Sequence, residues 1–114
     1  FAEPLWNLSI PAILKAYIDY ICVAGITFQY TEKGPIGVCS GKKAVNITTR
    51  GGEYSEGPGA AFEMGDRYLK TILGFLGITD YTTIAANKLD IAGQDIDAIL
   101  ARTIKQAEDL AKNF

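Results

Sequence analysis

Apolar residues recur at helical spacing over residues 10 to 24, where Ile10, Ile13, Leu14, Tyr17, Ile18, Ile21 and Cys22 share one face. Ser9 is placed to cap this predicted helix. Pro11 suits its first turn, where a missing N–H costs nothing, and Gly25 ends it in the left-handed conformation. The pattern then changes. ITFQY (26–30), EKGP and IGV (36–38) read as a short hairpin or a long ordered excursion. KKAVNITT (42–49) reads as a strand whose apolar members do not strictly alternate, as expected for a parallel strand covered on both faces. RGGEYSEGPG (50–59) has four glycines and a proline in ten residues and is a loop. A second helix is predicted over 60–76, with Ala61, Met64, Tyr68, Ile72, Phe75 and Leu76 as its stripe and Gly77 as its stop. YTTIAA (81–86) reads as a second buried strand. A last helix covers 94–112, with Ile96, Ile99, Leu100, Thr103, Ala107, Leu110 and Ala111 inside.

Helices alternating with strands imply an α/β fold with parallel strands joined by right-handed crossovers. Two parallel strands do not make a stable two-sided sheet, and three helices offer more apolar face than two strands can cover. Either a partner chain supplies more sheet, or these 114 residues are the C-terminal part of a larger α/β domain. On the second reading Phe1-Ala2-Glu3-Pro4 ends a preceding strand, and the absence of Met at position 1 agrees with that.

Composition narrows the chemistry. The chain is 48% hydrophobic and 21% charged, so it buries a core and is not a disordered segment. A net charge of −2 gives no reason to expect nucleic acid or an anionic membrane as a partner. Its apolar stretches are broken by Lys15, Asp19, Asp66, Arg67 and Lys70, so none spans a bilayer, and no signal peptide is visible. Cys22 falls on an apolar helical face as a buried free thiol, and Cys39 lies in a loop. Their spacing fits neither a zinc site nor a disulfide framework, and a reducing, cytoplasmic setting is the simple expectation. Asn46-Ile47-Thr48 matches a glycosylation sequon but falls inside a buried strand. The chain has no histidine, which removes Ser-His and Cys-His nucleophiles and His-based metal sites together. Chemistry is left to carboxylates, lysines, tyrosines or a bound cofactor.

In open α/β sheets, ligands bind beyond the carboxyl ends of the strands. Two loops take that position: PLWNLSIP (4–11) after the inferred first strand, and TTRGGEYS (48–55) after the strand at 42–49. If those strands are neighbours, the loops face one crevice. The first offers a rigid turn, the broad ring of Trp6, and the backbone N–H of Asn7 near a helix start. The second offers N–H groups of Arg50, Gly51 and Gly52 with little side chain in the way. Such donors suit a flat ring that gains an electron pair. The plainer readings are a simple glycine turn, Trp6 as core, and Tyr30 and Tyr54 as surface aromatics. Neither the glycine loop nor Ser40-Gly41-Lys42, which precedes a strand, has the GxxxxGK[ST] pattern of a Walker phosphate loop.

Pro4-Leu5-Trp6-Asn7-Leu8-Ser9-Ile10-Pro11, followed by Leu14-Lys15-Ala16-Tyr17-Ile18-Asp19, resembles the signature of the FMN-dependent NADH-azoreductases, members of the flavodoxin-like quinone reductases. The resemblance continues through Gly25 to Thr31, Gly34 to Gly37, Lys42-Lys43, Thr49-Arg50-Gly51-Gly52, Tyr54, Tyr68-Leu69 and Leu73 to Ile78. It implies a flavodoxin-like α/β fold of parallel strands flanked by helices, with this chain as its C-terminal portion and the first two strands and serine-rich phosphate loop absent. It also implies that Pro4, Leu5, Trp6, Asn7 and Leu8 line the flavin ring, with the Asn7 N–H towards N5. Thr49, Arg50, Gly51 and Gly52 would bind the pyrimidine end, with Tyr54 near the same edge. Phe28 and Tyr30 match a segment near the substrate pocket that in some members reaches across a dimer. Leu8 stands where Phe is commoner, which alters ring packing but not the class.

The resemblance implies two hydride-type steps, from NAD(P)H to FMN and from the flavin to a quinone or azo compound, with no acid or base residue assigned. Half the cofactor site is expected here, so the chain alone should bind FMN weakly or not at all and be inactive. A homodimer is expected, through the helices at 10–24 and 60–76 or through an exposed edge of the strand at 42–49. Two other readings stand beside this one: a stand-alone α/β interaction module with a degenerate nucleotide site, and a nucleotide-binding module that turns the RGG loop to a phosphate.

Overall fold

A computed structural model describes residues 1–114. The elements in chain order are β1 (Ala2–Pro4), α1 (Ala12–Ile21), β2 (Phe28–Thr31), β3 (Gly34–Gly37), β4 (Lys43–Thr49), a 3-10 segment (Pro58–Phe62), α2 (Gly65–Phe75), β5 (Asp80–Ala86) and α3 (Ile96–Ala111). β1, β4 and β5 form one parallel sheet in that order, with Glu3 opposite Thr48 and Ile47 opposite Ile84. β2 and β3 form a separate antiparallel hairpin. The chain is therefore α/β, with parallel strands joined through helices, and the residues before the first helix do form a strand.

Alternation along β4 divides the sheet into two unlike faces. Val45 and Ile47 with Ile84 face Ala107 and Leu110 of α3. The other face carries Glu3, Asn46, Thr48, Tyr81 and Thr83 and lies under α1 and α2. There Ile10, Ile18 and Leu69 form the apolar centre, with Phe1, Leu14, Ile21, Cys22, Ile72 and Tyr81 packed against it. Asn46 of the sequon is wholly buried there. Cys22 and Cys39 are free thiols, both half-buried, and burial raises the Cys22 pKa.

Several local expectations are corrected. The first helix is shorter than 10–24, and Ser9 does not cap it. Pro11 holds the N-cap position, and Ser9 instead pairs with Trp6 across a tight turn. The helix stops at Ile21, so Gly25, with φ +83°, serves the turn into β2, where its N–H meets the Phe28 carbonyl at 2.7 Å. The helix expected over 60–76 is broken. Glu63 is extended, with φ −75° and ψ 108°, and separates the 3-10 segment from α2. Its buried side is Leu69 and Leu73, continued by Leu76, whereas Met64 and Phe75 are partly exposed. On α3 only Ile99 is fully buried, and Ala111 is exposed. β4 has no exposed edge: it is the central strand, and the free edges belong to β1 and β5.

Candidate functional site

β1 and β4 are neighbours, so the loops that follow them lie side by side, joined by the Leu5 N–H to the Thr49 carbonyl at 2.9 Å. In the first loop Trp6 and Ser9 exchange backbone hydrogen bonds of 2.9 and 3.0 Å. That closes a two-residue turn with Asn7 and Leu8 at its centre. Their φ values are +50° and +70°, the left-handed pair that a type I′ turn requires. Asn tolerates this conformation and Leu does not, costing about 1–2 kcal/mol at Leu8. The turn leaves the N–H groups of Asn7 and Leu8 without internal acceptors and the Trp6 ring exposed.

The second loop is held from the far side. Lys88, Leu89 and Asp90 donate their backbone N–H groups to the carbonyls of Gly52, Arg50 and Gly51 at 2.9, 3.1 and 3.0 Å. The Asn87 side chain adds a 2.7 Å bond to Ser55 Oγ and accepts from the Tyr54 N–H at 3.4 Å. With three carbonyls fixed this way, the N–H groups of Gly51 and Gly52 make no internal hydrogen bond. A Cβ on Gly51 would lie 2.5 Å from Oδ2 of the exposed Asp90, a side-chain tip that can swing aside, and one on Gly52 would lie 3.0 Å from the half-buried Tyr54 ring.

Arg50 is placed differently from Gly51 and Gly52. Its N–H extends the sheet to the Ala86 carbonyl at 2.8 Å. Its guanidinium is buried, with Nη1 donating to Ser55 Oγ at 3.1 Å and Nη2 3.8 Å from Glu63 Oε1. Glu63 in turn accepts from the first N–H groups of α2. Behind both loops, Asn46 Nδ2 donates to Glu3 Oε1 at 3.2 Å and to Asp66 Oδ1 at 3.0 Å. Tyr81 and Thr83 hydroxyls also donate to Asp66, each at 2.8 Å. Burial raises the Glu3 carboxyl above its ordinary value, against hydrogen bonding from Asn46 and Thr48 and attraction to Arg50. Burial and the Asp66 carboxylate together push the Tyr81 phenol far up.

Phe28 and Tyr30 are not brought to this crevice. The Phe28 ring packs on Phe75 at the C-terminal end of α2, with centroids 4.9 Å apart. α2 starts beside the two loops and runs away from them for 11 residues, about 16 Å. Tyr30 projects from the hairpin at 75% exposure.

Sequence reasoning missed Glu3, Glu63, Asn87 and the Lys88–Asp90 backbone. Two signals were available: an acidic residue just before a helix whose first turn holds Asp66, and an Asn directly after a predicted strand. The strained φ of Leu8 had no signal.

Four unused N–H groups, from Asn7, Leu8, Gly51 and Gly52, thus lie on two adjoining loops beyond the carboxyl ends of β1 and β4, next to the Trp6 ring. This donor set fits the edge of a flavin ring. The expected serine-rich phosphate turn is not among the 114 residues. No group of acidic, cysteine or histidine side chains is arranged to hold a metal ion, and no helix is long and apolar enough to cross a membrane.

A family model described as flavodoxin-like fold matches residues 1–111. The FMN-dependent NADH:quinone oxidoreductase 2 of Clostridium acetobutylicum is 67% identical over 113 residues, which are 99% of this chain and 56% of that protein. The FMN-dependent NADH:quinone oxidoreductase of Caldicellulosiruptor saccharolyticus is 60% identical over 114 residues, covering all of this chain and 57% of that one. Among solved structures, an FMN-dependent NADH-azoreductase from Bacillus anthracis in complex with FMN superimposes with a TM-score of 0.90 at 34% identity, over 96% of this chain and 52% of that one. The chain therefore spans little more than half the length of the relatives it matches.

Proposed function

The chain belongs to the flavodoxin-like fold family, and on that premise we propose that it is the ring-binding part of an FMN-dependent oxidoreductase acting between NAD(P)H and a quinone or azo compound. The observation that carries this reading is the pair of adjoining loops whose Asn7, Leu8, Gly51 and Gly52 N–H groups are left unused inside the protein. FMN, when bound, supplies the electron transfer. The protein's share is to hold the ring. Asn7 donates on one edge, and Gly51 and Gly52 donate at the pyrimidine end, where negative charge collects on reduction. Pro4, Leu5, Trp6 and Leu8 exclude water from one side, and Thr49 and Tyr54 close the other. The buried Arg50, paired with Glu63, braces the glycine loop from behind. None of these roles needs a titrating side chain, in keeping with a chain that lacks histidine.

A second copy of the chain completes the site. Tyr30, 75% exposed, lies at the wrong end of α2 to reach its own crevice, so it meets a crevice only as a partner's residue, on a hairpin that the buried Phe28 holds against Phe75. The surface between α1 and α2 suits such a contact. It holds an open cleft of about 950 Å³ that starts at Trp6 and Asn7 and is lined further by Ile10, Ile13, Met64 and Tyr68. Ile13 is 82% exposed there, and Tyr20 of the same helix 84%. We read this surface as a homodimer interface. The acceptor is a small molecule, the setting cytoplasmic, and the 114-residue chain by itself inactive.

Titration with lumiflavin, which has the ring but no phosphate, alongside FMN tests the reading. Both should bind the isolated chain equally and weakly, because the residues present grip only the ring. Submicromolar FMN affinity, beyond about −8 kcal/mol, would overturn the weak-binding claim. Binding of neither compound would overturn the flavin reading. NADH oxidation by the isolated chain at enzymatic rates would refute its inactivity.

A further inference from the structure

We propose that Glu63-Met64-Gly65, where α2 begins, is one anchor for both walls of the crevice, with Glu63 as its positioning residue; this rests on the flavin-ring reading of those walls. The first wall is tied to the anchor twice. The Met64 N–H donates to the Leu8 carbonyl at 2.8 Å. Gly65 lies so close that an added Cβ would sit 3.0 Å from Leu5 Cδ1 and 3.3 Å from the Ser9 carbonyl carbon, as well as 3.2 Å from Glu63 Oε1. Leu8 is held in a left-handed conformation that leucine adopts only under constraint from its surroundings, and the Met64 bond is such a constraint.

The second wall is tied through charge. Glu63 Oε1 accepts from the Gly65 and Asp66 N–H groups at 2.8 and 2.7 Å, and Oε2 from Arg67 N–H at 3.1 Å. Three helix donors thus fix the carboxylate in direction. The same Oε1 faces Arg50 Nη2 at 3.8 Å, with both side chains buried. A buried guanidinium needs a counter-charge, and this is the only one within ion-pair distance. Arg50 leads directly into Gly51 and Gly52, which have no side chains of their own to hold them. The extended backbone at Glu63, which breaks the helix expected over 60–76, is what turns its carboxylate back onto the helix start and onto Arg50.

The test is backbone amide NMR on the 15N-labelled chain, with lumiflavin titration beside it. Glu63→Gln keeps an acceptor oxygen for the helix start and removes the charge; it should move the Gly51 and Gly52 resonances. Gly65→Ala adds a methyl against Leu5, Ser9 and Glu63 Oε1; it should move Asn7 and Leu8, and through Glu63 also Gly51 and Gly52. Each should weaken lumiflavin about tenfold, the equivalent of ~1.4 kcal/mol, with the β5 and α3 resonances in place. If Glu63→Gln does not fold, Arg50→Lys replaces it and should move Gly51 and Gly52 alike. Resonances of either wall that stay at their original positions overturn the proposal. Should the unaltered chain bind no lumiflavin, the flavin reading fails while the amide shifts still decide the anchor.

Discussion

The ring of Phe28 lies 4.9 Å from that of Phe75 on the last turn of α2, and this contact fixes the base of the β2–β3 hairpin. Phe28 is buried, while Tyr30, 5.4 Å from it edge-on, is largely in solvent. Phe28→Ala should cost about 3 kcal/mol and Tyr30→Ala no more than about 0.5 kcal/mol, read from urea unfolding midpoints. An equal loss in both variants would contradict this placement. If the hairpin works across a dimer, Tyr30→Ala should still lower activity of the assembled enzyme at unchanged stability.

Asn7 is exposed and sits at φ +50°, so its identity matters to the backbone more than to packing. Asn7→Val places a β-branched residue in the left-handed region and should destabilise by about 1–2 kcal/mol. Asn7→Gly should lie within about 0.5 kcal/mol of the parent. Denaturant unfolding of the two variants separates conformational strain from side-chain contact. A benign valine would mean that the turn relaxes.

Two glycines of the same region should respond in opposite directions. Gly37 passes so close to α2 that a Cβ there would lie 2.0 Å from the Leu76 carbonyl carbon, and backbone cannot give way as a side-chain tip does. Gly37→Ala should cost about 3 kcal/mol. Gly74 is exposed within α2 with open space around its Cα, and Gly74→Ala should add about 1 kcal/mol through helix propensity. Thermal unfolding of both variants, with the parent as reference, checks the signs.

Glu3 gives a pH dependence. Its carboxyl is held above the ordinary value by burial, so the folded state keeps the proton more tightly than the unfolded chain. Stability from this group is intact below the unfolded pKa and is lost as pH rises through the raised folded value. Glu3→Gln, which cannot ionise and still accepts from Asn46, should be more stable than the parent at neutral pH. The gap should close towards about pH 4, where both forms of the parent are protonated. Melting temperatures at the two pH values decide it. A parent more stable than Glu3→Gln at neutral pH would mean that attraction to Arg50 outweighs burial.

Elements whose signal is local were legible in the sequence. β4, β5 and the hairpin followed from short apolar runs, and the glycine loop from its composition. β1 was readable only by weighing apolar helix faces against available strand, since Phe1 to Pro4 is too short to carry a pattern. The family of the chain, and with it the two loops, could be read from the PLWN and TRGG motifs. What escaped was set by distant partners. Glu63 breaks a helix that periodicity would continue, because its carboxylate serves the helix start and Arg50 at once. Asn87 to Asp90 look like an ordinary loop until β5 sets them beside Gly51 and Gly52. Glu3, Asn46 and Asp66 are three unremarkable polar residues in sequence and one hydrogen-bonded group in the fold.

The central position of β4 has a kinetic consequence. Its neighbour on one side is the opening strand, Ala2–Pro4, and on the other the late strand, Asp80–Ala86, so no pair in the sheet is local. Loop closure must precede any reward from the ladder, which slows formation of such sheets. The hairpin and the helices close over short stretches and can form early, but they wait for the middle strand to acquire both partners. The crevice depends on the last of these events. Its walls take their places only when the beginning and the later part of the chain have met on β4, so an ability to hold a flavin ring should appear in a refolding experiment with the final, slowest phase.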